Sequence, residues 1–264
     1  MSSRHHPFAK RSLGQNFLVD NAVIEHIVRA LDPSSEDTVV EIGPGRGALT
    51  EKLVDKAAMV YALELDTELA RRLQEKFRHH TNVRILETDA LEADFSAIAD
   101  VRKLRLVANL PYNVSTAILQ RLFSFAGEFV DCILMFQREV VDRITAEPGT
   151  KDRGYLSVLT QAYFVVDKLF DVPPNSFNPV PKVWSSVVRC VPRSDIVFDH
   201  VKLEALVSLS FSQKRKTILN NLKQKYADAA ILLSNAEIDP QRRAETLTLD
   251  EWLKLVDASE TSLT

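Results

Sequence analysis

Cysteine is almost missing from this chain of 264 residues. The two present, Cys132 and Cys190, each sit inside an apolar run, so neither a disulfide framework nor a zinc-ligand spacing can be written. Long hydrophobic runs are missing as well. No stretch approaches the roughly 18 unbroken apolar residues of a membrane span, and residues 1–7 lack the apolar core of a secretory signal. These absences lead to the expectation of a soluble protein with a partly disordered start, in a reducing, cytoplasmic compartment and without a membrane partner. A strong charge of either sign is absent too, the formal sum being −3. What the chain does have is length beyond the roughly 100 to 200 residues of one ordinary domain. With 45% hydrophobic residues it can build a sizeable core, and one main domain with a small appendage is expected.

Taken as a sum, a charge of −3 argues mildly against a nucleic-acid partner, yet phosphates are met by a local basic face rather than by a total. Lys10 and Arg11 precede the first helical pattern, Lys151 and Arg153 flank a glycine-containing turn, and the segment 211–225 holds Lys214, Arg215, Lys216, Lys223 and Lys225 without an acid. Any one of these runs alone is most simply a solvated face.

Along the chain, Asp20 is placed to cap a helix whose Val23, Ile24, Ile27, Val28 and Leu31 share one side. A buried strand follows at 38–42, then Gly43-Pro44-Gly45-Arg46-Gly47 and a helical pattern. Strand, glycine loop and helix open a nucleotide-binding βαβ unit, in which missing side chains let a ligand approach the backbone. The strand at 59–63 ends at Glu64, about twenty residues on, where a carboxylate can accept from ribose hydroxyls. Asp66 caps the next helix, and His79-His80 suit its C-terminal end better than a metal site. The strand at 83–86 runs into Thr88-Asp89-Ala90, which puts Asp89 where it can accept the amine of an adenine moiety. Further strands are expected at 104–108, 131–137 and 186–191, with an amphipathic helix around Ile118, Leu119, Leu122 and Phe123.

This alternation predicts an α/β fold, an open and mostly parallel sheet with helices on both faces. Ligands then lie at the carboxyl ends of the strands, and Gly43, Glu64, Asp89 and Asn109 follow four successive strands. A dinucleotide oxidoreductase competes for such a loop. The spacing G-x-G-x-G differs from G-x-G-x-x-G, however, and nothing downstream suggests hydride transfer.

Asn109-Leu110-Pro111-Tyr112-Asn113 separates the two readings. The amine of adenine is a poor nucleophile because its lone pair is delocalised into the ring. Two acceptors fixed on its N–H groups favour a geometry in which that pair points out of the plane. The Asn109 side-chain oxygen and the Leu110 carbonyl can supply them, while Pro111 fixes the turn and Tyr112 stacks on the base. A methyl on the sulfonium of S-adenosylmethionine needs positioning only, so no metal and no strong base is called for. In isolation Asn109 to Tyr112 is as well explained by an ordinary turn.

The chain resembles the small-subunit ribosomal RNA adenine N6,N6-dimethyltransferases, the kasugamycin-sensitivity methyltransferase family. The resemblance is carried by Leu13-Gly14-Gln15-Asn16-Phe17-Leu18, Glu41 to Gly47, Glu64-Leu65-Asp66, Asp89-Ala90, Asn109 to Asn113, Phe177-Asn178-Pro179-Val180-Pro181-Lys182-Val183 and Phe211 to Thr217. It implies a Rossmann-like S-adenosylmethionine-dependent methyltransferase with a small C-terminal helical domain. By resemblance, Asn16, Leu18, Gly43, Glu64, Asp89 and Asn109 contact the donor, with Gln15, Gly45, Leu65 and Ala90 beside them. Asn109, Leu110, Pro111 and Tyr112 form the catalytic turn, and Phe177 closes on the other face of the target adenine. Lys10, Arg11, Lys151, Arg153, Lys182, Lys214, Arg215, Lys216 and Lys223 are the expected RNA contacts. The resemblance further implies a monomer acting on two adjacent adenines near the 3′ end of small-subunit rRNA, within a pre-30S particle.

Independently of the resemblance, the prolines around Phe177 suggest a rigid loop able to present one aromatic ring to a base taken out of its stack. A core-packing ring is the plainer explanation. From about residue 195 the pattern turns helical, with Thr248 and Glu251 as a capping box ahead of Trp252. A catalytic domain over 1–195 and a helical RNA-binding domain over 196–264 are therefore expected. Two other functions stay in view. A large-subunit rRNA adenine methyltransferase is disfavoured by the charge of −3, and a binding-only assembly factor by the intact donor-site residues.

Overall fold

Hydrophobic strands of five or six residues, each followed by a polar or glycine turn, build the first half of the molecule. The computed structural model describes residues 15–99, 102–194 and 197–261, with the side chains of 260 and 261 excepted. A short strand β1 (Phe17–Leu18) leads to α1 (Asn21–Leu31), and Asp20 caps this helix by accepting from the N–H groups of Ala22 and Val23. Its apolar stripe of Ile24, Ile27, Val28 and Leu31 is buried, as the 3.6-residue period demands. Then follow β2 (Thr38–Ile42), α2 (Thr50–Leu53), β3 (Met59–Glu64), α3 (Thr67–Lys76), β4 (Val83–Glu87), α4 (Phe95–Ala99), β5 (Leu104–Asn109), α5 (Ser115–Phe123) and β6 (Phe129–Gln137). After α6 (Arg138–Ile144) and α7 (Tyr155–Tyr163) come β7 (Phe164–Val172), β8 (Phe177–Asn178) and β9 (Ser185–Pro192). The remaining helices are α8 (His200–Ser210), α9 (Ile218–Leu222), α10 (Ala229–Asn235) and α11 (Leu249–Thr261).

The seven-stranded sheet runs in the order β4-β3-β2-β5-β6-β9-β7. From β2 to β6 neighbouring strands are parallel, while β9 joins β6 antiparallel. The chain builds outward from β2 to one side, then returns to place β5 on the other. This reversal opens a crevice beyond the carboxyl ends of β2 and β5, where doubly wound sheets bind ligands. Register decides what meets there. Ile42 lies opposite both Leu63 and Ala108, so Gly43, Glu64 and Asn109 emerge in one row. Glu64 in turn lies opposite Glu87, two residues ahead of Asp89.

Strand β7 was not expected from the sequence. It is one edge of the sheet, β4 being the other, and its apolar residues do not alternate with polar ones, so the two-residue period that marks a half-buried strand is missing.

Two compact units divide the chain, one of Met1–Val141 with Val166–Pro192, the other of Asp142–Val165 with Arg193–Thr264. The expected boundary at 195/196 lies on residues outside those described, and the helical unit also takes in 142–165, which the sequence had assigned to the catalytic domain. Within the helical unit α7 packs on α8 and α11, burying Leu156, Val158 and Leu159. Nothing local in an amphipathic helix says which core it will join, and this correction could come only from tertiary packing. At the start of α11 the capping box forms as expected. The Thr248 N–H donates to Glu251 Oε2 at 2.8 Å, and the Glu251 N–H to Thr248 Oγ1 at 3.2 Å. Among the described residues no helix is long and apolar enough to cross a membrane.

Candidate functional site

A cavity occupies the crevice at the carboxyl ends of the strands in the first unit. Gln15, Asn16, Leu18, Gly43, Gly45, Glu64, Leu65, Asp89, Ala90, Asn109, Leu110, Pro111 and Tyr112 all line it. The structure thus gathers every expected donor-contact residue, and every expected residue of the catalytic turn, around one space.

The glycine loop is shaped by backbone that only glycine adopts without strain. Gly43 has φ +67° and Gly45 φ +58°. A Cβ on Gly45 would stand 3.0 Å from the Phe17 ring, tighter than an ordinary contact, so a side chain there would press on that ring. Glu64, buried at the end of β3, accepts from the Gly45 N–H through Oε2 and from the Asp66 N–H through Oε1, both at 2.9 Å. Burial lifts its pKa, while these two N–H groups pull it back. The carboxylate is thereby fixed in orientation with acceptor capacity left toward the cavity. Asp89 spends Oδ1 on the Leu91 N–H at 2.9 Å, which orients its other oxygen. Gln15 is held by donating from Nε2 to Asp66 at 3.3 Å.

The Asn109 turn is anchored from beneath. Leu110 is fully buried, and its N–H donates to the Met135 carbonyl at 3.3 Å. Asn109 donates from Nδ2 to the Asn16 carbonyl at 3.2 Å, which turns Oδ1 away as the free acceptor. Neither Oδ1 nor the Leu110 carbonyl accepts a hydrogen bond from any of the described residues. Tyr112, half-buried, shares a hydrogen bond of 2.7 Å between its hydroxyl and Ser185 Oγ, and burial raises its pKa. Its ring orientation is therefore set by β9, a partner that no local sequence signal indicated.

Glu41 was noticed in the sequence only as part of the motif. It also lines the cavity, is buried, and accepts from Thr50 Oγ1 at 2.6 Å. Burial pushes its carboxyl up to about 7, opposed by the Thr50 hydrogen bond and assisted by nearby Glu64.

Two expectations need correction. Phe177 does not line the cavity. Through β8 it pairs with β1, opposite Leu18, and its ring is 2% exposed in a core cluster with Leu18, Ile24 and Val187. The prolines around it stiffen the loop, but the pairing with β1 turns the ring inward. Arg153 is no surface cation either. It is 3% exposed and donates from Nη1 to the Ala146 carbonyl and to Gln161 Oε1, each at 2.7 Å, closing its own loop. Lys151, Lys182, Lys214, Arg215, Lys216 and Lys223 are exposed, while Lys10 and Arg11 lie outside the described residues.

A methyl donor with an adenosyl moiety fits these residues. Positive-φ glycines bring bare backbone to the cavity, two held carboxylates can meet hydroxyl and amine donors, and an oriented amide oxygen stands at the next strand end.

The sequence profile described as ribosomal RNA adenine dimethylase matches residues 8–260. A protein named ribosomal RNA small subunit methyltransferase A from Laribacter hongkongensis is 46% identical, over 96% of this chain and 96% of its own. One of the same name from Hahella chejuensis is 43% identical, over 94% and 92%. Among solved structures, a dimethyladenosine transferase from Plasmodium falciparum superposes with a TM-score of 0.81 at 26% identity, covering 93% of this chain and 98% of that one. The 23S rRNA methyltransferase ErmE gives 0.72 at 27% identity, covering 93% and 100%. With the profile and these relatives matching nearly from end to end, the chain belongs to the ribosomal RNA adenine dimethylase family.

Proposed function

We propose that the protein transfers methyl groups from S-adenosylmethionine to N6 of two adjacent adenines near the 3′ end of small-subunit (16S) rRNA, giving N6,N6-dimethyladenosines late in 30S subunit assembly. The observation that carries the chemistry is the oriented Asn109 amide, whose oxygen, like the Leu110 carbonyl, accepts from none of the described residues. When bound, S-adenosylmethionine supplies a methyl group on a sulfonium, an electrophile that requires positioning and no further activation.

Gln15, Asn16, Leu18, the Gly43–Gly45 loop, Glu64, Leu65, Asp89 and Ala90 would hold that donor. Glu64 suits ribose hydroxyls and Asp89 the adenine amine, as carboxylates with oriented oxygens do. Asn109 Oδ1 and the Leu110 carbonyl would accept from the N–H groups of the target amine, so that its lone pair leaves the plane of the ring. Tyr112 would cover one face of the base. Asn109 can stay neutral throughout, because the nitrogen becomes acidic on alkylation and loses its proton to water. No metal is needed for these steps. The exposed cations Lys214, Arg215, Lys216 and Lys223 of the helical unit, with Lys151 and Lys182, suit RNA phosphates and imply salt-sensitive binding to a pre-30S particle by a cytoplasmic monomer.

The choice of the small subunit rests on the relatives, since those at 41–46% identity carry the small-subunit name. The decisive experiment incubates the protein with labelled donor and small subunits from a strain lacking the modification, followed by nucleoside analysis. Dimethyladenosine is the expected product. Label confined to large-subunit RNA would overturn the assignment.

A further inference from the structure

The chain has two tryptophans, and their surroundings are opposite. Trp252 is wholly buried in the helical unit and stacks on Phe211. Trp184, in the other unit, is 47% exposed, and no aromatic ring among the described residues stacks on it. An indole carries a large apolar face, and leaving one in water is a cost that a core would normally remove. Val180 and Val183 in the same segment are exposed as well. Three large apolar side chains thus stand exposed within five residues of one proline-stiffened loop (180–184), a local concentration of the kind that marks an interaction site.

The place of this loop decides what it suits. The Trp184 carbonyl accepts from the Arg138 N–H at 2.9 Å, which pins it beside the carboxyl end of β6. The next residue, Ser185, is fully buried, lies opposite Gln137 in the sheet and bonds the Tyr112 hydroxyl at 2.7 Å. Trp184 is thus the immediate chain neighbour of the residue that orients Tyr112, their α-carbons about 3.8 Å apart. The flanking side chains Lys182 and Arg138 are exposed cations, and Arg138 also lies 3.9 Å from Asp171. An exposed flat ring flanked by positive charge matches a nucleic-acid strand, which offers base faces and phosphates together.

We propose that Trp184 is a stacking platform for the nucleobase next to the adenine held by Asn109 and Tyr112. This rests on the function proposed above and adds a residue that specifies how the strand is held. Withdrawing one base from a strand leaves its neighbour with an uncovered face, and an aromatic side chain can cover that face whatever the base. Where two adjacent adenines are modified in turn, the platform holds one while the other occupies the site.

The test compares wild type with Trp184→Ala, Trp184→Leu and Trp184→Phe on unmodified small subunits, reading KM for the subunits, kcat, KM for S-adenosylmethionine and thermal unfolding. Stacking predicts that Ala and Leu raise KM for the subunits about tenfold or more. Phe should stay near wild type, and KM for the donor should not move in any variant. An unchanged KM in Trp184→Ala would overturn the proposal. So would a Leu variant as good as Phe, which would indicate simple apolar contact with a protein of the particle. A wild type that makes no dimethyladenosine would instead overturn the function itself, so the two failures are distinguishable. Since Trp184 is half in water, all three variants are expected to fold, and matched unfolding temperatures check this.

Discussion

The side-chain amide of Asn109 donates to the main-chain carbonyl of Asn16 at 3.2 Å, tying the end of β5 to the segment that precedes β1. That one bond decides which end of the amide is offered to the cavity. Asn109→Ala removes both the tether and the acceptor. Methyl transfer is expected to fall by a factor of about 100 or more, the scale of losing alignment in a reaction that depends on position. Donor binding by calorimetry should remain measurable. Transfer at the wild-type rate by this variant would show that the amide does not orient the amine.

The Tyr112 hydroxyl and Ser185 Oγ form a neutral pair, Ser185 being fully buried and Tyr112 half-buried. Tyr112→Phe leaves the Ser185 hydroxyl without its partner, at a cost of about 1–3 kcal/mol in stability. Adding Ser185→Ala should restore much of it, because both polar partners are then gone. The phenyl ring still offers a face to a base, so Tyr112→Phe should transfer methyl groups far better than Tyr112→Ala. Denaturant unfolding and single-turnover rates test the two halves separately, and equal rates for Phe and Ala would rule out stacking.

Glu41 titrates in a buried place, pushed up to about 7 by burial. A folded-state pKa above the unfolded one means that its contribution to stability is complete below about pH 4.5 and is lost as pH rises through about 7. The loss is on the order of 3 kcal/mol between those limits. Glu41→Gln keeps a partner for Thr50 without the charge, so its stability relative to wild type should increase from pH 5 to pH 8. A stability difference independent of pH would show that Glu41 is ionised throughout.

Arg105 spans the other end of the sheet, donating from Nε and Nη2 to both oxygens of buried Asp131 at 2.8 and 2.9 Å. Arg105→Met removes the bidentate partner and leaves Asp131 with Arg189 at 3.4 Å. About 3 kcal/mol of stability should be lost in urea unfolding. The double variant Arg105→Met, Asp131→Leu should recover most of that, since an apolar pair of similar size avoids burying a lone charge. A double variant no more stable than the single one would show that the ion pair itself stabilises the fold.

Much of the site was legible because its residues follow strand ends. Asp20 as a cap, the strands at 38–42 and 59–63, the glycine loop and the Thr248–Glu251 box are local devices, and each appears where its pattern put it. Phe177 and Arg153 both look exposed in the sequence, an aromatic in a proline-rich loop and a cation beside a glycine. Phe177 is covered because β8 pairs with the distant β1, and Arg153 because its own neighbours Ala146 and Gln161 close over it.

The sequence alone determined the alternation of elements, the crevice-facing positions of Gly43, Glu64, Asp89 and Asn109, and family membership through its motifs. Periodicity and turn chemistry act over a few residues, so they can be read from a string. Tertiary structure alone decided the register that puts Gly43, Glu64 and Asn109 in one row, the orientation of the Asn109 amide by Asn16, and the support of Tyr112 by Ser185. It also assigned 142–165 to the helical unit and left Trp184 in water while burying Trp252. The register, the Asn109 orientation and the Tyr112 support depend on contacts between residues from 21 positions apart in the chain (Thr38 and Met59) to 93 apart (Asn16 and Asn109), which no local pattern of side chains encodes.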